Sequence, residues 1–288
     1  MSDKRDSKDG EGPVDWWGEL RGLAYMLLAV IAVHTLLAKP FYIPSASMVP
    51  NLMVGDRLIV SKYPYGWSWV SATFHVLPRG DWRIGPRTPD YGDIVIVVPP
   101  DREEDYIKRV IALPGDTIAL VDGRVVLNGT PVPRAFEPPV RLPAENDNRC
   151  GYVDCLFVFA SYRVLLEDGS AVYEPPTWRE TLPNGASYLV IDEEGSGALD
   201  QMEPITVPEG HVFLLGDNRD YSADSRAPVT ASGLGGAVPL ADVGGRAEFI
   251  TFSVDGRAGW NPLSWWDGLR EGRAWRTLRP EFRGHPRP

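Results

Sequence analysis

The chain has 288 residues, 24% charged and 43% hydrophobic, which is enough for one large domain or two small ones with a hydrophobic core. Its formal net charge of −10 argues against nucleic acid as a partner. Only two cysteines are present, which excludes a disulfide-dense framework and a four-cysteine zinc site.

The chain opens with a polar tail over residues 1–19, followed by an apolar segment. Residues 22–38 contain no Asp, Glu, Lys or Arg, and a membrane span needs about 17–25 residues. We therefore predict a disordered tail and one transmembrane anchor over residues 20–38. A buried core helix is the alternative, while a cleaved signal peptide is disfavoured because bulky Phe41 and Tyr42 follow the segment.

Basic residues near the two ends of the anchor predict its orientation. Those on the N-terminal side of the uncharged segment 22–38 are Lys4, Arg5, Lys8 and Arg21, and those in the twenty residues after it are Lys39 and Arg57. This excess predicts a cytoplasmic N-terminus, with residues 39–288 on the other side of the membrane.

From residue 58 onward the pattern is typical of short β-strands separated by Gly, Pro and Asn turns. The predicted strands cover residues 93–98, 118–121, 124–127, 164–166, 171–173, 211–215 and 247–253. No amphipathic helix of ordinary length is visible between residues 40 and 260, which favours a mostly antiparallel β structure. The Trp- and Arg-rich segment 256–288 predicts one short helix, at about 264–277.

Histidine and metal chemistry have little support. Of the four histidines, His34 lies in the apolar segment, His285 in the tail, His75 in an aromatic loop and His211 at a strand start. No Gly-x-Ser-x-Gly motif is present, so a Ser/His/Asp triad is poorly supported. Only Cys150 and Cys155 have a spacing that two metal ligands could use.

A serine can instead be activated by a neutral lysine, which requires burial to lower the lysine pKa. Ser47 lies in a run of small and apolar residues just after the anchor, and Lys108 lies in an otherwise apolar strand pattern. Strand alternation points Lys108 away from Arg109, so one of the two can be buried. A solvated edge lysine is the alternative. The run 216–226, dense in Asp and Arg, predicts either a polar surface loop or a turn braced by ion pairs.

Three runs together resemble the bacterial type I signal peptidases. They are Pro-Ser-Ala-Ser-Met-Val-Pro at 44–50, Tyr-Ile-Lys-Arg-Val-Ile-Ala-Leu-Pro-Gly-Asp at 106–116 and Gly-Asp-Asn-Arg-Asp-Tyr-Ser-Ala-Asp-Ser-Arg at 216–226. They occur in the family's order, and the resemblance extends from about residue 20 to about residue 255. Each run is moderately specific for the family, and the three together are highly specific.

The resemblance implies a role for each matching residue. Ser47 would be the nucleophile and Lys108 the general base. Ser45 would donate its hydroxyl to the oxyanion hole beside the Ser47 backbone N–H, and Ser222 would orient the lysine ammonium. The residues implied to support this site are Asp217, Arg219, Asp220, Asp224 and Arg226.

The resemblance also implies how a substrate would bind. The pockets for the residues one and three positions before the cut would accept small side chains, and a substrate strand would add to a sheet edge. The pocket residues implied are Ile43, Met48, Leu52, Tyr106 and Ile107. Asp105 would lie where the substrate backbone pairs.

The implied architecture is a signal-peptidase-type antiparallel β-sheet catalytic domain with a smaller β insertion domain, preceded by the anchor. The catalytic core would cover about 39–120 and 205–255, and the second β subdomain about 121–204. The catalytic region would be periplasmic, anchored by a single pass in the bacterial inner membrane. There a Cys150–Cys155 disulfide is expected, with two free thiols as the alternative.

The implied function is removal of signal peptides from exported preproteins by a Ser/Lys dyad. The expected partners are preprotein signal peptides, membrane lipid and clients of the Sec and Tat export pathways, with no cofactor and no metal. Two alternatives are a specialised pilin- or conjugation-system processing peptidase and an inactive membrane-tethered homologue that binds exported chains.

Overall fold

The computed structural model describes residues 15–144, 155–193, 195, 197–255 and 268–282. The helices are α1 (Trp16–Leu36) and the short α2 (Cys155–Phe159). The strands are β1 (Ala38–Tyr42), β2 (Asp56–Ser61), β3 (Trp67–Ser68), β4 (Arg83–Ile84), β5 (Ile94–Val97), β6 (Tyr106–Ala112), β7 (Thr117–Val121), β8 (Arg124–Leu127), β9 (Thr130–Pro131), β10 (Arg134–Glu137), β11 (Leu142–Pro143), β12 (Arg163–Leu165), β13 (Ala171–Tyr173), β14 (Thr177–Thr181), β15 (Ala186–Ile191), β16 (Met202–Thr206), β17 (His211–Leu215), β18 (Val238–Pro239), β19 (Val243–Ser253) and β20 (Glu281–Phe282).

Helix α1 is the apolar segment found in the sequence. It begins at Trp16 and not at residue 20, because the Asp15 side chain accepts a hydrogen bond from Gly18 N and caps the helix. It ends at Leu36, since β1 begins at Ala38. None of its residues is buried, so the alternative of a core helix is wrong. Among the described residues, α1 is the one helix long and apolar enough to cross a membrane.

The largest sheet in the described residues has seven antiparallel strands, ordered β1-β2-β19-β5-β6-β17-β18. Strand β6 pairs with β5 along its first half, from Val97↔Tyr106 to Ile94↔Arg109. On its other side β6 pairs with β17 only from Arg109 onward. Within the part of the chain that the structure describes, residues 106–108 therefore keep one edge free of strand pairing.

The remaining strands form smaller antiparallel sheets, ordered β16-β7-β8-β9, β10-β14-β15-β20, β11-β13-β12 and β3-β4. This confirms the predicted mainly antiparallel β class. One buried cluster joins Ile111 and Phe213 of the large sheet to Val125, Tyr188 and Val207. The region predicted as a second β subdomain thus shares a hydrophobic core with the region predicted as the catalytic core.

The predicted strands are present, with one long extension. Strand β19 was expected from residue 247 but begins at Val243. Its first residues include Gly244 and Gly245, and glycine has a low strand propensity. The sequence pattern therefore did not indicate that the strand begins at Val243. Gly245 has a φ of +152° and lies where a Cβ would be 2.4 Å from the Ser61 carbonyl oxygen, so the close pairing of β19 with β2 requires glycine there.

The helix predicted at about 264–277 is wrong for residues 268–277, and residues 264–267 lie outside the described ranges. We call residues 268–282 the C-terminal strap. Its backbone bonds to β19, with Ile250 N donating to Arg276 O and Leu278 N donating to Glu248 O, and its last strand β20 pairs with β15. These bonds, together with the left-handed turn at Gly272, replace helical hydrogen bonding.

Candidate active site

Ser47 lies in a 3-10 turn, Ala46–Met48, between β1 and β2. The turn forms here because the apolar side chains on both sides of the serine, those of Ile43, Met48 and Leu52, are buried in one core cluster. Ser47 itself is 7% exposed. The loop is thus fixed by its hydrophobic anchors, with a small part of the serine left open to solvent.

Lys108, on β6, forms a side-chain hydrogen bond with Ser47. Its Nζ donates to Ser47 Oγ at 3.1 Å and to the Ile107 carbonyl at 3.0 Å, and the side chain is 4% exposed. The Nζ also lies 5.3 Å from the centre of the Tyr106 ring. The two residues predicted to form a dyad, 61 positions apart in the chain, are within hydrogen-bond distance.

Burial lowers the pKa of Lys108 to about 8, although the carboxylates of Asp224 and Asp217 act in the opposite direction. Loss of hydration penalises the charged ammonium more than these carboxylates stabilise it. A sizeable fraction of the lysine is therefore neutral near pH 8, and a neutral amine can accept a proton from a hydroxyl.

Two further serines were predicted to serve this site. The Ser45 hydroxyl lies 3.4 Å from Ser47 Oγ, near the limit of a hydrogen bond. Ser222 is buried and its Oγ has no hydrogen-bond partner among the residues that the structure describes. Its hydroxyl lies against the backbone of Gly216, where an added Cβ would be 2.2 Å away. The expected Ser222–lysine hydrogen bond is therefore not formed in this structure.

The 216–226 run is a turn braced by ion pairs, as one of the two alternatives predicted. Asp224 accepts hydrogen bonds from Gly216 N and from the Arg226 guanidinium, each at 2.9 Å. Burial alone would raise the pKa of Asp224, but the charge and hydrogen bonds of Arg226 outweigh it and lower that pKa. Arg226 also donates to the Arg219 carbonyl at 2.7 Å. The turn thus carries a fixed negative charge close to Lys108.

Two bidentate ion pairs attach this turn to the neighbouring strands. Both guanidinium groups are fully buried: Arg109 of β6 binds Asp217 with two bonds of 2.7 Å, and Arg219 binds Glu180 of β14. Asp220 is exposed and accepts from Glu193 N at 2.8 Å. All five predicted support residues therefore lie in one connected turn.

Two asparagines were missed by the sequence reasoning. Asn218 donates from its backbone N to Ser47 O at 3.0 Å and from its side chain to Ala46 O at 3.2 Å. Asn51 donates to Asp217 Oδ2 at 2.8 Å and to Leu189 O at 2.7 Å. Both lie in or beside the motif runs, but a pattern does not reveal which carbonyl an amide will reach.

The predicted pocket residues Ile43, Met48, Leu52 and Ile107 are all buried in the same core cluster. A substrate side chain would therefore meet only a small part of each. Tyr106 is half-buried, and its hydroxyl donates to the Ser232 carbonyl. Asp105 faces Lys39 at 3.7 Å and His75 at 3.3 Å. Cys150 lies outside the described residues, so the disulfide with Cys155 stays a prediction.

One acidic trio in the described part of the chain, Asp192, Asp200 and Asp220, has oxygens close enough together for one cation. Each carboxylate already has a protein partner, since Asp192 pairs with Arg134 at 2.6 Å and the other two accept backbone N–H groups. The trio therefore gives no support for a metal site.

Comparison with known proteins shows which family the chain belongs to. The sequence model of the family described as "Signal peptidase, peptidase S26" matches residues 17–252. The chain is 32% identical over 264 residues to signal peptidase I of Rickettsia akari, covering 88% of this chain and 82% of that protein. It is also 32% identical over 262 residues to signal peptidase I of Rickettsia rickettsii, covering 87% and 81%. A crystal structure of a signal peptidase I from Enterococcus faecalis is similar at a TM-score of 0.27 and 24% identity, covering 56% of this chain and 97% of that one. The chain therefore belongs to the signal peptidase family, peptidase S26, and is a serine peptidase.

Proposed function

We propose that the chain is a membrane-bound serine endopeptidase that removes N-terminal signal peptides from exported preproteins with a Ser47–Lys108 dyad. The observation that carries this is the 3.1 Å hydrogen bond between a buried lysine, whose pKa is lowered to about 8, and the Ser47 hydroxyl. A buried, depressed-pKa lysine beside a hydroxyl is the arrangement that activates a serine without histidine.

The dyad would act as follows. Neutral Lys108 accepts the Ser47 hydroxyl proton as Oγ attacks the carbonyl carbon of the residue before the cut. The Ser47 backbone N–H and the Ser45 hydroxyl stabilise the resulting oxyanion. The Ser222 side chain rotates and its hydroxyl then orients the lysine ammonium. The lysine ammonium then protonates the leaving amine, which forms an acyl-enzyme. Neutral again, Lys108 activates a water that hydrolyses the ester and releases the signal peptide.

The free edge of β6 is the proposed docking site for the substrate strand. Residues 106–108 pair with β5 on one side only, so an extended peptide can add there by main-chain hydrogen bonds. This edge ends at Lys108, so a peptide added there would have its scissile bond beside Ser47. Because the nearby apolar side chains are closely packed, small residues are preferred at positions −1 and −3.

The proposed setting is the bacterial inner membrane. Helix α1 would be the single anchor, with a cytoplasmic N-terminus and a periplasmic catalytic region that acts on clients of the Sec and Tat pathways. The 21 residues of α1 span about 31 Å, close to the thickness of a bilayer's hydrocarbon core. The anchor would hold Ser47 near the surface where a signal-peptide cleavage site emerges.

Preprotein cleavage by the detergent-solubilised protein tests the dyad. Ser47→Ala and Lys108→Met should each abolish turnover while the circular dichroism spectrum stays that of the wild type. Lys62→Met is a matched control, because Lys62 is also buried, at 2% exposure, and its pKa is also lowered to about 8, but its Nζ donates to Val70 O. Retained turnover in Lys108→Met would exclude the lysine as base. An inactive wild-type chain would support a binding role instead.

A further inference from the structure

The C-terminal strap lies beyond the family match, which ends at residue 252, yet it contacts the loop that carries the candidate nucleophile. That loop runs from Ser47 to β2, which begins at Asp56. The strap reaches it with two arginines. Arg270 donates to Val54 O at 2.6 Å and to Ser253 Oγ at 3.2 Å, so it ties the loop to the end of β19.

Arg273 makes the more specific contact. Its Nε donates to Asp56 Oδ1 at 2.9 Å, and one of its Nη groups bonds both Asp56 Oδ2 and the Asn51 carbonyl. Asp56 is fully buried, and its carboxylate also accepts from Met53 N at 2.8 Å. One guanidinium therefore fixes the loop at two places, four and nine residues after Ser47.

The same loop is held from the opposite direction by the 216–226 turn. Asn51, whose carbonyl accepts from Arg273, donates its side-chain amide to Asp217. The next residue in that turn, Asn218, binds Ser47 O. Hydrogen bonds thus connect Arg273 to Asn51 and Asn51 to Asp217, and the next residue in the chain, Asn218, bonds the backbone of the serine.

We propose that Arg273 is a positioning residue, through which the C-terminal strap holds Ser47 Oγ within reach of Lys108 Nζ. This rests on the proposed dyad. Loss of the guanidinium would leave the Asp56 carboxylate buried without its cation and would release the Asn51 carbonyl. The loop would then relax, and misplacement of a nucleophile by about 1 Å can cost about 100-fold in rate.

The test compares Arg273→Gln with Arg279→Gln in the full-length, detergent-solubilised protein. Arg279 is a matched control on the same strap, since it makes an exposed ion pair with Glu248 at 2.9 Å. Arg273→Gln should lower kcat about 10- to 100-fold with KM within about twofold and an unchanged pH midpoint. Arg279→Gln should keep kcat within about twofold. Equal kcat values in the two variants would overturn the proposal.

Arg273→Lys covers the case in which Arg273→Gln does not fold. A lysine keeps the positive charge beside Asp56 but cannot reproduce the planar set of donors that also reaches Asn51. It should fold and still lose several-fold in kcat, and a wild-type kcat in the folded variant would refute the positioning role. If Ser47→Ala remains active, the dyad itself fails. If Ser47→Ala is inactive while the Arg273 variants are normal, only this inference fails.

Discussion

Two buried lysines of this chain show what burial does and does not determine. Burial lowers the pKa of both Lys62 and Lys108 to about 8. Lys62 donates to a backbone carbonyl, whereas Lys108 donates to the Ser47 hydroxyl. The lowered pKa makes either amine a competent base, but only the hydroxyl gives one of them a proton to accept.

The pKa of Lys108 predicts the pH dependence of cleavage. Below about pH 8 the lysine is mostly protonated and cannot accept the Ser47 proton, so kcat/KM should rise about tenfold per pH unit at low pH and level off above the pKa. Steady-state cleavage of a preprotein between pH 5 and 10 measures this profile. A flat profile from pH 5 to 9 would contradict a lysine base.

Asp224→Asn tests whether the midpoint of this pH profile belongs to Lys108, because the Asp224 carboxylate raises the pKa of Lys108. Its removal should move the midpoint of the profile to lower pH. Asp242→Asn is the matched control, since Asp242 is also a buried aspartate paired with an arginine but is not one of the charges acting on Lys108. A shift to higher pH in Asp224→Asn would argue against this electrostatic account.

At the level of elements, sequence patterns predicted the strands better than their connections. Alternation and turn residues predicted β7 and β8 to within one residue, because local chemistry determines a tight hairpin. The pairing of Arg219 with Glu180, 39 positions apart, has no local signal. The same holds for Asn218, whose partners lie in a loop 171 and 172 positions away. Such contacts depend on how sheets pack, which no single stretch of sequence reveals.

The Arg219–Glu180 pair predicts how firmly the 216–226 turn is attached to β14. Both side chains are about 1% exposed, so Glu180→Ala would leave a buried guanidinium unpaired. The free energy of unfolding should fall by about 3–5 kcal/mol, measured by urea titration in detergent. The exposed Arg141–Glu174 pair is the control, and Glu174→Ala should cost less than about 1 kcal/mol. Similar losses in both variants would show that the buried pair contributes no more to stability than the exposed one.

At the scale of the whole molecule, the sequence separated an apolar N-terminal segment from a β-rich region, and the structure has an exposed apolar helix followed by antiparallel sheets. It did not reveal the strap, because the Trp and Arg residues of 268–282 have a composition that suits a short helix as well as an extended segment. The strap is extended because its backbone groups bond to β19 and β15, 17 to 96 positions earlier in the chain. Tertiary contacts override local propensity there.

Helix α1 is the proposed membrane anchor, and substitutions in it should change how the molecule attaches to a membrane. Helix α1 has no buried residue, and its middle turns hold Leu28 and Ile31. Arginine at both positions should cost about 3 kcal/mol each at the centre of a bilayer. Leu28→Arg/Ile31→Arg should therefore move much of the protein from the membrane to the soluble fraction on carbonate extraction, with turnover in detergent kept. Leu20→Arg, beside Arg21 near the start of the helix, is the control and should stay in the membrane because an arginine there can reach the interface. Full retention of the double variant in the membrane would assign membrane attachment to another surface. The first candidates would be the exposed side chains of Phe74 and Val76. They lie next to Thr73, which contacts Thr35 of α1.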